Sequence, residues 1–399
     1  MIVLAGADLV LPDRVVPAGT LVIRDGRIEA VESSIVDGPA GATRIDLSGH
    51  VIVPGFVDVH MHGVDGVDVL DGPAAVATIA ACLPKYGVTA FCPTSVACDP
   101  ATLAMLLAAV SACRQSRTPG SAHVLPAHLE SNFINPAWNG AQPRRCLRNP
   151  PTATAPAGLS PEGEFTGADI LAAIAAARSA VGIITLAPEL PGGMDLVREL
   201  VRAGHRVSIG HTGATYDEAR AAFEAGVRHA THLFNRMTPI TSRAPGVVGA
   251  VLAEPAVAAE LICDGFHVHP VLMSVAIRAK GPGRVMAITD ATAGAGLPVG
   301  SIVRLGEQAI RVTRRTAELT DGTLAGSVLT MDAAFRTLVE LVGISLVDAA
   351  RMCSTTPAAE MGLVDRGAIV PGFAADLTVM GPGFRIRESY VDGVPALEP

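Results

Sequence analysis

Short apolar runs alternate with alanine-rich, helix-length stretches through the central part of the chain. This alternation is typical of successive β–α units that build a parallel sheet. The runs predict eight strands, at residues 57–62, 88–94, 123–130, 182–189, 206–212, 228–234, 259–265 and 285–291. Helices are predicted among them at 73–86, 100–113, 167–180 and 215–226. Eight such units predict an α/β fold, a (β/α)8 TIM-like barrel.

The two ends of the chain follow another pattern, in which short β-type runs are separated by turn signals. Asp25-Gly26 and Asp392-Gly393 are dipeptides typical of hairpin turns. We therefore expect residues 1–54 and 363–399 to pair into a small β-sandwich domain built from both termini. Residues 55–362 are then expected to form the barrel.

One stretch fits neither pattern. Residues 132–166 are rich in Pro, Asn, Gly and Arg. Irregular segments of this length in compact domains are usually functional or disordered. We expect a long loop.

Composition and charge exclude several classes of protein. The mean hydropathy is +0.41, yet no apolar run approaches the about 20 residues that a membrane span needs. A net charge of −8, with no basic run longer than Arg144-Arg145, argues against a nucleic-acid partner. The seven cysteines form no CxxC pair, so we expect reduced thiols. The protein is expected to be cytoplasmic, with no membrane partner.

Residues with metal-ligand chemistry stand at the predicted C-terminal ends of the strands. They are His60, His62, Glu130, His211, His232 and Asp290. A single histidine of this kind is more often a hydrogen-bonded core residue, but their recurrence at the face where such barrels build active sites indicates a metal centre. Imidazole and carboxylate predict one or two divalent ions, Zn²⁺ first, with Fe²⁺, Mn²⁺ or Co²⁺ as alternatives.

Asp290 ends a strongly apolar run, AITDAT. A buried carboxylate without a partner is costly. It could cap the following turn. Beside a metal it could instead accept the proton of the attacking water and pass it to the leaving amine.

Longer stretches around these residues resemble the N-acetylglucosamine-6-phosphate deacetylase family of the amidohydrolase superfamily. They include VIVPGFVDVHMHG, AHLES, IGHTGAT, THLFNRMTPITSRAPGVVGA, ICDGFHV, ITDAT, LAGSVLTMDAA and GAIVPGFAADLTV, which span nearly the whole chain. The resemblance implies that the barrel is of the metal-dependent hydrolase type, with a main metal held by Glu130, His211 and His232. It also implies that His60 and His62 can hold a second ion.

The resemblance implies the remaining roles as well. Asp290 is the general base, and the sugar phosphate is bound by Asn235, Arg243 and His267. In the family this arginine reaches into the neighbouring subunit's site, so a homodimer is implied. A plain surface charge is the alternative for Arg243. Arginine suits phosphate because its planar fork donates two hydrogen bonds at once.

The chain departs from the family pattern near the substrate. It reads ESNF at 130–133 where EGPF is usual, and NGAQ at 139–142 where KGAH is usual. The amide of Gln142 can still donate a hydrogen bond to a developing oxyanion. Arg236, in place of a small residue, adds a basic group near the phosphate.

The predicted reaction is metal-dependent hydrolysis of N-acetylglucosamine-6-phosphate to glucosamine-6-phosphate and acetate. Three alternatives stay open: a deacetylase for another N-acyl amino sugar, a cyclic-amide hydrolase or deaminase of the same superfamily, and a metal-free sugar-phosphate binding protein. A lysine-bridged metal pair is disfavoured because neither Lys85 nor Lys280 ends a predicted strand.

Overall fold

The barrel predicted from the alternating pattern is present in the computed structural model, which describes residues 1–36, 41–151 and 165–396. Its eight parallel strands are β1 (Phe56–Met61), β2 (Val88–Ser95), β3 (Ala127–Glu130), β4 (Val181–Leu186), β5 (Arg206–Ile209), β6 (His229–Ala230), β7 (Ala258–Ile262) and β8 (Val285–Ile288). Each strand pairs with the next in sequence. The predicted α/β class is therefore confirmed.

The barrel closes where β8 approaches β1. Within the described residues the two strands meet through an isolated bridge, between Met61 and Ala291, and not through a regular ladder. The backbone N–H of Asp290 donates to the carbonyl oxygen of His60 at 2.9 Å just beside this bridge. The closure therefore places a predicted catalytic residue next to a predicted metal ligand.

Several strands are shorter than predicted. The run 123–130 is divided into His123–Val124 and β3, with Pro126, which lacks an N–H to donate, between the two pieces. The predicted strands 206–212, 228–234 and 285–291 end two or more residues early. The residues that follow in each predicted strand are buried, except the partly buried Phe234, so burial continues past the point where the backbone leaves the strand.

Helices cover the outside of the barrel. They are α1 (Ala75–Cys82), α2 (Pro100–Gln115), α3 (Gly167–Ala176), α4 (Gly193–Arg202), α5 (Tyr216–Glu224), α6 (Gly246–Ala253), α7 (Pro270–Lys280), α8 (Met331–Arg336), α9 (Leu346–Ala350) and α10 (Thr356–Glu360). The first of these and α3 continue into short 3-10 segments, so all four predicted helices are found. None of the described helices is long and apolar enough to cross a membrane.

Both chain ends contribute to one β domain. Its eight strands are Ile2–Val10, Val15–Arg24, Arg27–Glu32, Thr43–Asp46, Val51–Pro54, Leu377–Met380, Ile386–Val391 and Val394–Pro395. Leu377–Met380 pairs antiparallel with Val51–Pro54 and so joins the two termini. The sheet has an apolar core of its own, apart from the barrel core. The exact domain bounds, 1–54, 55–362 and 363–399, stay a prediction.

An antiparallel insertion follows β8 and has no counterpart in the predicted strands. It consists of Ile302–Leu305, Gln308–Val312 and Ala317–Glu318. The Gln308 side chain donates to the carbonyl oxygen of Ala141 at 2.5 Å. The insertion is therefore tied to the loop predicted at 132–166.

That loop is irregular, as predicted, over its described part. Residues 132–151 contain two single 3-10 turns, Pro136–Trp138 and Arg144–Cys146. Residues 152–164 of the predicted loop lie outside the described residues.

Candidate active site

Most of the predicted site residues line one pocket at the C-terminal end of the barrel. The pocket is bounded by His62, Glu130, Gln142, His211, His232, Asn235, Arg236, His267 and Asp290, together with apolar residues. His60 lies beneath it and is fully buried. Arg243 does not line this pocket and is exposed at the surface of the single chain.

Four of these residues have left-handed backbones, Arg236 with φ +51° and three residues that follow barrel strands. The φ angles of these three are +47° at His211, +32° at His232 and +51° at Asp290. Each of the three comes two positions after its strand ends. Non-glycine residues seldom adopt this conformation, and strain of this kind is concentrated at functional sites. The strands therefore end in turns that place three polar side chains in the pocket.

Glu130, His211 and His232 form the first cluster of possible metal ligands. Glu130 Oε1 lies 2.7 Å from His211 Nε2 and 2.8 Å from His232 Nε2. The two Nε2 atoms are 3.0 Å apart. His211 Nδ1 donates to the carbonyl oxygen of Trp138 at 2.8 Å. Because a carbonyl can only accept, Nδ1 carries the proton and a neutral His211 directs a lone pair at the cluster.

His60, His62 and Asp290 form the second cluster. Asp290 Oδ1 is 3.2 Å from His62 Nε2 and 3.5 Å from His60 Nε2. His62 Nδ1 donates to the carbonyl oxygen of Thr94 at 2.9 Å. His60 Nε2 is buried and has no hydrogen-bond partner among the described residues. A buried ring nitrogen that has no hydrogen bond and lies close to a carboxylate can bind a cation.

The electrostatics of the two clusters favour positive charge. Burial opposes protonation of His60, but Glu260, Asp290 and Glu130 outweigh it and raise its pKa to about 10. Burial alone would raise the pKa of Glu130, yet His211 and His232 hold it well below its usual range. The same surroundings that favour a proton on these nitrogens favour a divalent ion.

The donor set fits a divalent metal. Within each cluster the ligand atoms lie within 4.8 Å of one another. Each site combines imidazole nitrogens with a carboxylate, the chemistry that suits zinc and related ions. Glu130 Oε2 is also 3.5 Å from His62 Nε2, so this carboxylate lies between the clusters.

Gln142 is held at both ends of its amide. Its Nε2 donates to Glu130 Oε2, and its Oε1 accepts from the backbone N–H of Ala97 at 2.7 Å. The contact with a backbone donor fixes which end of the amide is oxygen. One amide hydrogen is bonded to Glu130, and the second remains available to a substrate atom in the pocket.

The rest of the divergent loop is anchored by buried side chains. Ser131 Oγ donates to the carbonyl oxygen of Thr185 at 2.5 Å. The Asn132 side chain donates to the carbonyl oxygens of Cys98 and Cys146, both at 2.7 Å. The substitutions at 131 and 132 therefore hold the loop in place and do not face the pocket.

The outer side of the pocket carries polar and basic groups. His267 Nδ1 bonds to Asp264 Oδ2 at 2.6 Å. Burial opposes protonation of His267, but this bond and the charge of Asp264 outweigh it, so its pKa is raised. Arg236 is exposed at the pocket and lies against Gly140, where a Cβ would be 2.9 Å from its Nε. These groups can attract an anion.

Two buried residues of the site have no counterpart among the predicted ones. Glu260 of β7 lies 2.8 Å from His60 Nδ1, and His128 of β3 lies next to Glu260. The sequence contained a signal for both residues. His128 and Glu130 are two positions apart on a strand and so share a face, and Glu260 is a charged residue within an apolar run. Both lie inside their strands, whereas ligands were expected at the strand ends.

A larger cavity of about 360 Å³, against about 90 Å³ for the site pocket, lies beside it and shares Val96 as a wall. Its lining includes Cys98, Cys146, Arg145 and Glu307 but none of the clustered histidines. The candidate site is therefore identified by its donor atoms and not by the size of its cavity.

Comparisons with known proteins agree with the fold and the motifs. The model of the amidohydrolase family matches residues 51–395. An N-acetylgalactosamine-6-phosphate deacetylase of Escherichia coli O157:H7 is 34% identical over 374 residues, 93% of each chain. An N-acetylglucosamine-6-phosphate deacetylase of Bacillus subtilis is 33% identical over 377 residues, 93% of this chain and 91% of the relative.

Solved structures give the same result. The N-acetylglucosamine-6-phosphate deacetylase of Pasteurella multocida superposes with a TM-score of 0.88 at 28% identity, with 100% of each chain covered. A Mycobacterium smegmatis deacetylase mutant in complex with N-acetyl-D-glucosamine-6-phosphate gives 0.86 at 30% identity, covering 100% of this chain and 99% of that one. The family resemblance expected from the sequence motifs is confirmed.

Proposed function

Because the chain belongs to the amidohydrolase family, we propose that it removes the acetyl group of an amino sugar phosphate in a metal-dependent hydrolysis. The proposed substrate is N-acetylglucosamine-6-phosphate, and the products are glucosamine-6-phosphate and acetate. The observation that carries this proposal is the pair of buried histidine–carboxylate clusters beneath a pocket with basic groups at its outer side. The activities of the similar deacetylases support it.

In the proposal Glu130, His211 and His232 hold one ion, and His60 and His62 hold a second. A bound divalent ion supplies two effects, polarisation of the amide carbonyl and a lowered pKa for the attacking water. Zn²⁺ is the proposed metal, and Fe²⁺, Mn²⁺ and Co²⁺ suit the same ligands.

Asp290 is the proposed general base. Its carboxylate faces both His60 and His62. Burial alone would raise its pKa, but in the metal-free chain the charge of these two rings outweighs burial and lowers it. A carboxylate in that state can accept the proton of the attacking water. It then donates the proton to the amine as the C–N bond breaks, which returns Asp290 to its starting form.

Gln142 is proposed to stabilise the acetyl carbonyl oxygen. The amide lies beside Glu130 and lines the pocket, so its free hydrogen can reach a substrate atom there. A neutral amide stabilises a developing oxyanion by a hydrogen bond, without the charge of a protonated imidazole.

Asn235, Arg236 and His267 are proposed to bind the sugar phosphate. All three line the pocket. Arg243, which is exposed in the single chain, is proposed to complete the neighbouring site in a homodimer. The free state of all seven cysteines fits a reducing compartment, and a cytoplasmic location is part of the proposal.

The sugar isomer is open to a second candidate. A relative that is 34% identical over 93% of the chain is an N-acetylgalactosamine-6-phosphate deacetylase, so this substrate is proposed as the alternative. Acetate release should be measured on the gluco, galacto and manno N-acetyl-6-phosphates and on the unphosphorylated sugars. We expect turnover of a phosphorylated sugar, with the gluco isomer preferred. A galacto preference would select the alternative.

A cyclic-amide hydrolase or deaminase is the more distant candidate. The lysine-bridged types are disfavoured because Lys85 pairs with Asp65 at 2.5 Å and Lys280 bonds to backbone carbonyls beside α6. Arg243→Ala separates the remaining possibilities. It should raise KM for a phosphorylated sugar and hardly change turnover of a small cyclic amide. Turnover of the cyclic amide alone would contradict the deacetylase proposal.

A further inference from the structure

A buried polar pair lies beneath the proposed metal sites, inside the barrel. Glu260 of β7 and His128 of β3 are both 0% exposed. Interior layers of such barrels are usually filled by branched apolar side chains. A carboxylate and an imidazole in that position are costly unless they are paired or serve a cation.

One oxygen of Glu260 contacts a residue of each proposed metal site. Oε2 accepts from His60 Nδ1 at 2.8 Å and from the backbone N–H of His232 at 3.3 Å. The first contact fixes the proton of a neutral His60 on Nδ1, which leaves the lone pair of Nε2 directed at Asp290. The second holds the turn that follows β6.

His128 supports Glu260 and is not itself a ligand. Its Nδ1 lies 3.1 Å from the carbonyl oxygen of Val59, which only accepts, so Nδ1 carries a proton. Its Nε2 is bonded to Thr185 Oγ1 at 2.7 Å. Both ring nitrogens are therefore hydrogen-bonded, and neither has a lone pair free for a metal ion. Nδ1 also lies 3.6 Å from Glu260 Oε1, close enough for a charge interaction but beyond hydrogen-bond distance.

The charge of Glu260 is incompletely balanced by these contacts. Its Oε1 is buried and has no hydrogen-bond partner within the described part of the chain. Glu130 and Asp290 together carry two negative charges, which a single divalent ion would neutralise. A third buried carboxylate, bonded to the far side of the His60 ring, favours a second positive ion at Nε2.

We infer that Glu260 is the positioning residue of the second metal site. It orients His60 as a ligand and supplies the negative charge that retains the second ion. The inference rests on the proposed metal-dependent function. It assigns no proton transfer and no contact with substrate to Glu260.

The test is a calorimetric titration of metal-free protein with Zn²⁺, with Glu260→Gln as the variant. The glutamine oxygen can still accept from His60, so orientation is largely kept while the charge is lost. Wild-type protein should bind two ions. The variant should bind the second ion about 10- to 100-fold more weakly, the usual effect of losing a partner behind a metal ligand. The affinity for the first ion should stay near the wild-type value.

Asp58→Asn is the matched control. Asp58 is also a buried carboxylate of the barrel interior, but it accepts from Thr289 Oγ1 at 2.5 Å and from the backbone N–H of His60. It bonds to no imidazole ring among the residues that the structure describes. The control should keep both binding events. Added Zn²⁺ should restore turnover in Glu260→Gln, a rescue that a general folding defect would not show.

Identical two-site titrations for wild type and Glu260→Gln would overturn the inference, as would wild-type protein that binds one ion only. If Glu260→Gln does not fold, Glu260→Asp decides, because its shorter side chain keeps the charge but cannot reach Nδ1 at the same distance. Unchanged second-site affinity there would also overturn it. Two bound ions without any deacetylation would contradict the proposed function and leave this inference intact.

Discussion

The metal end and the substrate end of the pocket are built in different ways. His62, Glu130 and Asp290 stand on or just after barrel strands, and the strands pair with one another around the barrel. At the substrate end, Gln142 and Arg236 lie on irregular segments, and the loop with Gln142 is fastened to the insertion after β8. In the proposed function, residues on the barrel strands therefore carry the reaction chemistry and residues on loops select the substrate.

This difference explains where the chain departs from its relatives. Ligand atoms of a metal site tolerate little displacement, because the coordination geometry is fixed. Loops accept substitutions if their buried polar groups stay bonded, as those of Ser131 and Asn132 do. We expect mutations at the metal end to cause the largest losses of turnover, and mutations at the substrate end to cause smaller losses or to change which substrate is preferred.

The largest effect is expected from Asp290→Asn. Removal of a positioned general base typically costs about 10² to 10⁴-fold in rate. We expect kcat to fall within that range while the protein still binds metal through its histidines and Glu130. Steady-state kinetics and metal analysis of the same preparation measure both. Asp58→Asn, the buried control on β1, should remain active, and a near-wild-type kcat in Asp290→Asn would refute the assignment.

Gln142→Leu should have the next largest effect. The change keeps the approximate volume but removes the amide that can donate to the acetyl oxygen and that bonds Glu130. Loss of one such donor usually costs about 10² to 10³-fold in kcat, and we expect the lower end because a bound metal shares the role. Gln142→His should stay active because an imidazole can donate as well. Unchanged kcat in Gln142→Leu would show that the amide takes no part.

Arg236→Ala should act on phosphorylated substrates only. A hydrogen bond to a charged group contributes about 1.5 to 3 kcal/mol, but the exposure of Arg236 reduces its effect. We expect about a tenfold rise in KM for the sugar phosphate, with kcat nearly unchanged. The unphosphorylated sugar serves as the control. Equal losses for both sugars would place Arg236 outside the phosphate site.

The smallest effect on turnover is expected from Asn132→Ala. This change leaves the carbonyl oxygens of Cys98 and Cys146 without their donor. Stability should fall by about 1 to 3 kcal/mol, the cost of unsatisfied buried groups, as measured by denaturant unfolding. Because Asn132 does not line the pocket, KM and kcat should change little. A large loss of kcat without loss of stability would contradict the structural role.

The metal end was predictable because alternate residues of a strand share a face and parallel strands end at the same rim of a barrel. His60 and His62 on β1 and Glu130 on β3 follow from these two rules alone. The strand ends were less predictable. His211 and Asp290 continue an apolar run but have positive φ, and hydrophobicity reports burial, not backbone conformation.

The substrate end could not be derived in the same way. Whether Gln142 faces the pocket depends on contacts with Ala97 and Glu130, which are distant in sequence. The insertion at 302–318 lacks the long apolar runs of the barrel strands, so it was not predicted. Arg243 is assigned to a neighbouring subunit by the family resemblance, and this role depends on a contact between two chains that one chain's sequence does not specify.

The most direct test of the account is acetate release from N-acetylglucosamine-6-phosphate as a function of bound metal. Protein stripped by a chelator should show no turnover, and activity should return as Zn²⁺ is added back, reaching its maximum at two ions per chain. Full turnover by metal-free protein would contradict the account. So would the absence of acetate release, from this substrate and from its galacto isomer, by protein that carries both ions.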